Sequence, residues 1–296
     1  MKTKWAAAAL LIAGASTSFL ALGQSLPLVN KGEVNPQSWV YGPRNNDTTG
    51  GLIWNPAKIE LLAGGDVVGR TMSTTNLDTN GMNTRYCSLA SEPHADFTWT
   101  EMQHSGIDWG DAWRMWVYAS GSTAGVRNCP NLRAVPGARI AYTDEREIQH
   151  ALDGGAMVLV VPTVNTAEEA KEVVQWTYFP PFGRRSAGGS QTAAVLAPWI
   201  PQGVSYRQTF NNNIVVIVML ETIEAVKNAE AIARIPGVHG VFAASGDLGN
   251  FSGYSEGDAD YEKLITTVHD ATLSADKRLC GPFRWRDRPG FTCFQD

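Results

Sequence analysis

A few charged residues stand where short apolar runs give way to polar turns, and their types limit the chemistry available. Glu221 follows the apolar run 214–220, and Asp247 follows the run 240–244. If those runs are neighbouring strands, about 4.8 Å apart, the two carboxylates can reach one ion. Two oxygen ligands without a nearby Cys or paired His suit a hard divalent cation, Mg²⁺ or Mn²⁺, that keeps waters or substrate oxygens; Co²⁺ also stays open. The same acids would equally serve as helix-start residues facing the N-terminal dipole. Glu101 and His104 lie three apart at the end of the run 97–100. At that spacing a carboxylate can orient an imidazole and raise its basicity, as a general base requires. A lone His is more often a surface residue. Arg139 is a charge inside the apolar run 138–142. It needs an anion in either of its possible roles, structural ion pairing or stabilisation of a developing oxyanion.

These residues need a frame, and the runs supply one. Eight of them recur, at 67–72, 97–100, 138–142, 157–161, 214–220, 240–244, 278–283 and 291–294. Several are too continuously apolar to have a solvent face, as expected of parallel strands covered on both sides. Helical patterns separate them. Asn55-Pro56 starts one, with Ile59, Leu61 and Leu62 as its apolar face. Asp144 with Glu147, and Thr166 with Glu169, have capping-box spacing. Beyond Thr222, the residues Val226, Ala229, Ile232 and Ala233 share a face before Pro236-Gly237 ends the helix. Strands alternating with helices predict a closed (β/α)₈ barrel, whose reactive groups gather at the C-terminal ends of the strands. An open doubly wound sheet competes, but no GxGxxG follows a strand. Trp109, Trp113 and Trp116 have helical spacing and read as packing.

The chain of 296 residues suits one such domain, expected over 55–296 after an irregular, Asn-, Gly- and Pro-rich arm at 24–54. Residues 1–23 pair basic Lys2 and Lys4 with an apolar stretch ending in Ala21-Leu22-Gly23, a signal peptide pattern that predicts export to the periplasm or medium. An uncleaved membrane anchor is the alternative reading; after cleavage no stable membrane insertion is expected. Cleavage would leave 22 basic residues against 29 acidic ones, a net charge of −7 that disfavours nucleic acid as a partner. Cys87, Cys129, Cys280 and Cys293 lack zinc-site spacing. Among three possible disulfide pairings, Cys87 with Cys129 and Cys280 with Cys293 is the one expected.

Three stretches together resemble a known family. They are Glu147-Ile148-Gln149-His150-Ala151-Leu152-Asp153-Gly154-Gly155-Ala156, then Val161-Pro162-Thr163-Val164-Asn165-Thr166-Ala167-Glu168-Glu169-Ala170, then Tyr178-Phe179-Pro180-Pro181-Phe182-Gly183-Arg184-Arg185. With Met219-Leu220-Glu221-Thr222 and Pro236-Gly237-Val238-His239-Gly240, they resemble the HpcH/HpaI aldolase and citrate lyase family. The resemblance implies a (β/α)₈ barrel, commonly hexameric, that makes or breaks carbon–carbon bonds through pyruvate-type enolates with a divalent metal. It implies metal-binding carboxylates at Glu221 and Asp247, a catalytic Arg at Arg139 and a base at His104, with Glu101 replacing the usual Asp. The backbone turn for the substrate carboxylate would be Ala244-Ser245-Gly246, where Gly-Pro is more usual. The substrates implied are a 4-hydroxy-2-oxo acid, or the 2-oxo acid and aldehyde it yields, handled by a homo-oligomer. Two departures stand out. The sequence ends at Asp296, so the barrel is expected to lack its last C-terminal helix, and the long connection at 76–93 is expected to overhang the active face. A CoA-ester lyase of the citrate lyase branch and an oxo-acid-binding barrel without turnover are the competing functions.

Overall fold

A computed structural model describes residues 52–73, 77–121, 128–180, 182–189 and 191–296. The expected signal peptide at 1–23 and the expected arm as far as residue 51 lie outside the described residues. Eight parallel strands close into a barrel in chain order: β1 Val67–Met72, β2 Phe97–Glu101, β3 Val135–Arg139, β4 Val158–Val161, β5 Val215–Leu220, β6 Gly240–Ala243, β7 Arg278–Pro282 and β8 Phe291–Gln295. β8 closes the ring on β1 through the pairs Val67↔Cys293 and Val68↔Phe294. Inside, Trp99 of β2 lies 5.4 Å from Phe242 of β6 between ring centroids, so aromatic rings fill the barrel beneath its mouth.

The helices form where the sequence provides caps and one apolar face. α1 Pro56–Ala63 starts at Asn55, whose side chain accepts from the amide of Ala57. It buries Ala57, Leu61 and Leu62 against the N-terminal end of the barrel, while Ile59 faces solvent instead of joining that face. α3 Trp109–Ser120 packs on α4 Glu145–Gly154 through the expected tryptophans: Trp109 donates to Glu147, and Trp113 to the carbonyl of His150. α5 Ala167–Thr177 carries the full Thr166–Glu169 capping box. Two further helices, α6 Gln191–Leu196 and α7 Tyr206–Asn213, precede β5. α8 Ile223–Lys227 and α9 Ala229–Ala233 divide what reads as one helix. α10 Ser245–Ser252 and α11 Ala259–Ser274 separate β6 from β7.

Three further expectations change. The third strand lies earlier than 138–142, because it contains Pro136 and Gly137. Pro136 lacks an N–H, yet its carbonyl still accepts from Met157, and Gly137 leaves room for Phe97, whose ring a Cβ there would meet at 2.7 Å. The connection at 76–93 is not an overhanging loop; it contains α2 Thr79–Ala90, capped by Asp78. Met82, Tyr86 and Leu89 form its buried face at helical spacing, and Thr98 donates to the Tyr86 hydroxyl. Cys87 and Cys129 form the expected disulfide, tying α2 to the connection after α3. Cys280 and Cys293 are instead free, buried thiols facing each other in register across β7 and β8. Burial raises the Cys280 thiol well above its ordinary range, with the neighbouring Cys293 adding to the shift.

Around the N-terminal end of the barrel a cavity of about 370 Å³ opens between Trp54, Glu60, Asp96 and Trp199, opposite the strand ends that carry the candidate site. Burial pushes the Asp96 carboxyl up to about 7, and Glu60 adds repulsion against the opposing pull of the Val68 amide, Arg133 and Arg70. The unfolded value is about 4. A raised acid favours the protonated fold, so this contribution to stability is present at low pH and is lost as pH rises from about 4 through about 7. Asp96→Asn keeps an oxygen for the Val68 amide and removes the titration. Its Tm advantage over the parent should be larger at about pH 8 than at about pH 4.5; a difference that does not grow with pH would contradict the assignment.

Candidate active site

β2 and β3 end together, and their pairing sets Glu101 directly beside Arg139. The Arg139 Nε donates to both carboxylate oxygens, at 3.0 and 2.9 Å. Both side chains are buried, at 7% exposure each, so this is an ion pair largely withdrawn from water. Glu101 also accepts from the Trp99 indole at 3.2 Å and from the amides of Gln103 and His104 at 2.9 and 3.0 Å. Removing one partner from such a buried pair costs about 3–5 kcal/mol, because the other charge is stranded.

This corrects one expectation. Glu101 does not orient the imidazole of His104; it holds the backbone amide of that residue. Its register partner Arg139 and the turn amides occupy the carboxylate, and the exposed His104 ring has no hydrogen bond among the described residues.

Glu221 stands just past β5, almost fully buried at 2% exposure. Its Oε2 accepts from both the amide and the hydroxyl of Thr163, at 2.6 Å each. Its Oε1 has no hydrogen bond, and Arg139 Nη1 lies 4.0 Å away, close enough for charge attraction but too far for a bond. Burial raises the Glu221 carboxyl above its ordinary range, with repulsion from Asp247 adding to it, against the opposing pull of Thr163 and Arg139. Asp247 lies half-buried in the first turn of α10, after β6. A buried carboxylate with one bare oxygen and a second acid near enough to repel it is a donor set short of positive charge. That set fits a divalent ion completed by water or substrate oxygens. No group of three or more His, Cys, Asp or Glu able to hold a metal occurs among the described residues.

α10 begins at Ala244 without a side-chain cap, so the amides of its first turn are not satisfied by that device. An anion such as a substrate carboxylate suits that end of a helix. The turn is held from outside. Arg284, after β7, donates to Ser245 Oγ at 2.9 Å and to Glu256 at 2.7 Å, while the Tyr261 hydroxyl donates to the Ser245 carbonyl at 3.0 Å. Trp285 fixes Glu256 from the other side. Burial alone would raise the Glu256 carboxyl, but the hydrogen bonds from Arg284 and Trp285 outweigh it and hold the group below its ordinary range. Gly246 has open space around its Cα.

Thr163, Arg284, Tyr261 and Glu256 receive no role from the sequence. Thr163 carries the clearest structural signal, because this β-branched residue has φ 49°. That conformation costs about 1–2 kcal/mol and has no sequence signature.

The fold and the sequence correspond to known proteins. The family model described as HpcH/HpaI aldolase/citrate lyase matches residues 80–278. The chain belongs to that family. Every site residue expected from the sequence lies within the matched span. An HpcH/HpaI relative, the 4-hydroxy-2-oxo-heptane-1,7-dioate aldolase of Shigella sonnei, is 36% identical over 142 residues, or 46% of this chain and 53% of the relative. The chain thus spans about half the length of that relative. The 2-keto-3-deoxy-L-rhamnonate aldolase of Klebsiella pneumoniae is 29% identical over 216 residues, 72% of this chain and 73% of the relative. Among solved structures, an HpcH/HpaI aldolase/citrate lyase family protein from Burkholderia cenocepacia superposes with a TM-score of 0.68 at 24% identity, covering 81% of this chain and 91% of that one. At that identity the likeness establishes the shared barrel.

Arg284→Ala should speed hydrogen exchange several-fold at the bonded amides of α10, those of Leu248 and Gly253 among them, while leaving the barrel strands protected. Unchanged exchange at those amides would show that the Ser245 contact does not hold the turn.

Proposed function

We propose that this protein is a metal-dependent pyruvate-type aldolase that cleaves or forms 4-hydroxy-2-oxo acids. The observation that carries the reading is the buried Arg139 held between Glu101 and Glu221, beside a Glu221 oxygen that lacks a partner. Glu221 and Asp247 would hold the ion, Mg²⁺, Mn²⁺ or Co²⁺, which when bound supplies Lewis acidity toward the 2-oxo acid.

The chain's own groups do the remainder. The uncapped first turn of α10, at Ala244, Ser245 and Gly246, receives the substrate carboxylate. His104, its backbone tethered by Glu101, takes the proton from the 4-hydroxyl. The C3–C4 bond then breaks, its electron pair moves into C2–C3 as the aldehyde forms, and negative charge collects on the oxygen at C2. Arg139 stabilises that charge without reorganising, because Glu101 already fixes its orientation. Protonation at C3 yields the 2-oxo acid. The names of the two aldolase relatives support this substrate class.

Purified protein supplied with Mg²⁺ or Mn²⁺ should release pyruvate from a 4-hydroxy-2-oxo acid, and EDTA should abolish the release. Arg139→Lys keeps a charge for Glu101 but loses the planar fork, and should lower kcat by about 10²–10³ with metal affinity little changed. Absence of pyruvate, or an unchanged kcat in that variant, would refute the mechanism.

We also propose that the chain is exported and self-associates. The Cys87–Cys129 bridge supports export, since such bonds persist in oxidising compartments. The exposed Tyr142 and Phe251, on the connections after β3 and β6, support an interface near the barrel mouth. Expressed with its own N-terminus, the protein should appear outside the cytoplasm, processed near residue 23, with the 87–129 bridge intact by mass spectrometry; retention of Met1 in a cytoplasmic pool would refute export.

A further inference from the structure

We propose that Thr163 is a positioning residue that decides which oxygen of Glu221 is available to the metal. The inference rests on the reading of Glu221 as a metal-binding carboxylate. Thr163 follows β4 and reaches across to the residue after β5. Its amide and its hydroxyl both donate to Oε2 of Glu221, at 2.6 Å each, and Oε1 is left bare. Two donors on one oxygen fix the carboxylate's rotation about its terminal bond. They also satisfy the lone pairs of Oε2, so an incoming cation meets Oε1, the oxygen 4.0 Å from Arg139.

The amide can aim this way only because Thr163 adopts φ 49°, and the surroundings hold it there. Before it, the Pro162 carbonyl accepts from the Thr143 hydroxyl. After it, the Val164 amide donates to the carbonyl of Met219 on β5, at 3.2 Å. The carbonyl of Thr163 accepts from the Asn165 amide group, and Asn165 in turn accepts from the hydroxyl of Thr222, next to Glu221. The strained turn and the carboxylate it serves are therefore tied into one hydrogen-bonded unit across β4 and β5. A residue chosen for local comfort at this φ would be glycine, which would keep the amide donor and lose the hydroxyl. The threonine hydroxyl is the part of the arrangement whose geometry serves Glu221 and not the turn.

The test uses the full protein and Mn²⁺ alone, with binding read from the electron paramagnetic resonance of the free ion, beside thermal melting. Thr163→Val, which removes the hydroxyl at nearly constant shape, should weaken Mn²⁺ binding about tenfold or more. Thr163→Ser, which restores the hydroxyl, should bind within about twofold of the parent. Thr163→Gly should melt higher than the parent, as its backbone accepts the left-handed conformation, and still bind Mn²⁺ as weakly as the Val variant. If all three variants bind Mn²⁺ like the parent, or if Ser fails as badly as Val, the proposal is overturned. Should Val not fold, the Ser and Gly pair decides the same question. A parent that binds Mn²⁺ yet releases no pyruvate refutes the aldolase reading and leaves these affinities to judge Thr163; a parent that binds no Mn²⁺ overturns both.

Discussion

The mouth of the barrel depends on an ion pair that the strand register makes unavoidable. Once β2 and β3 pair as they do, Glu101 and Arg139 end side by side, and neither can turn to solvent because both are buried. Burying two charges is costly, and the cost is offset only when each is well hydrogen-bonded. Glu101 meets that condition with four donor groups: a guanidinium, an indole and two turn amides. The result is a guanidinium whose direction is fixed before any substrate arrives, which is what electrostatic stabilisation of a developing charge requires.

Formal charge makes the next step necessary. Glu101 cancels Arg139, so Glu221 and Asp247 remain as two negative groups without an equal number of cations beside them. The carboxyl of Glu221 is raised mainly by burial, and repulsion from Asp247 adds to it against the pull of Thr163 and Arg139. A divalent cation would restore neutrality in one step, and the substrate carboxylate would then find its complement in the backbone amides of α10 and not in a further side-chain cation.

Much of this frame is legible in the sequence, and the parts that are not have physical reasons. Several strands announce themselves because both of their faces are buried, leaving unbroken apolar runs such as 215–220. β3 is misplaced because Pro136 and Gly137 look like a turn; the packed Phe97 ring and the Thr98 carbonyl, both close to where a Cβ would sit, explain the glycine. α2 hides behind polar residues, its apolar face reduced to Met82, Tyr86 and Leu89. The charged residues at strand ends can be picked out by type, but their partners cannot. Spacing suggests that Glu101 serves His104, whereas the lateral register gives it to Arg139. Thr163 and Arg284 escape notice because their roles arise from a backbone angle and from a contact 39 residues distant in sequence, neither of which a pattern of residue types records.

The bridge between Cys87 and Cys129 lies off the barrel strands, on α2 and on the connection after α3. With its ends 42 positions apart in sequence, it restrains the unfolded chain by on the order of 4 kcal/mol. The cross-link encloses β2, the strand that delivers Glu101. The redox state the chain meets as it folds thus bears on the segment that carries the Arg139 counter-ion, a sulfur clasp on the outer wall restraining the stave that shapes the mouth.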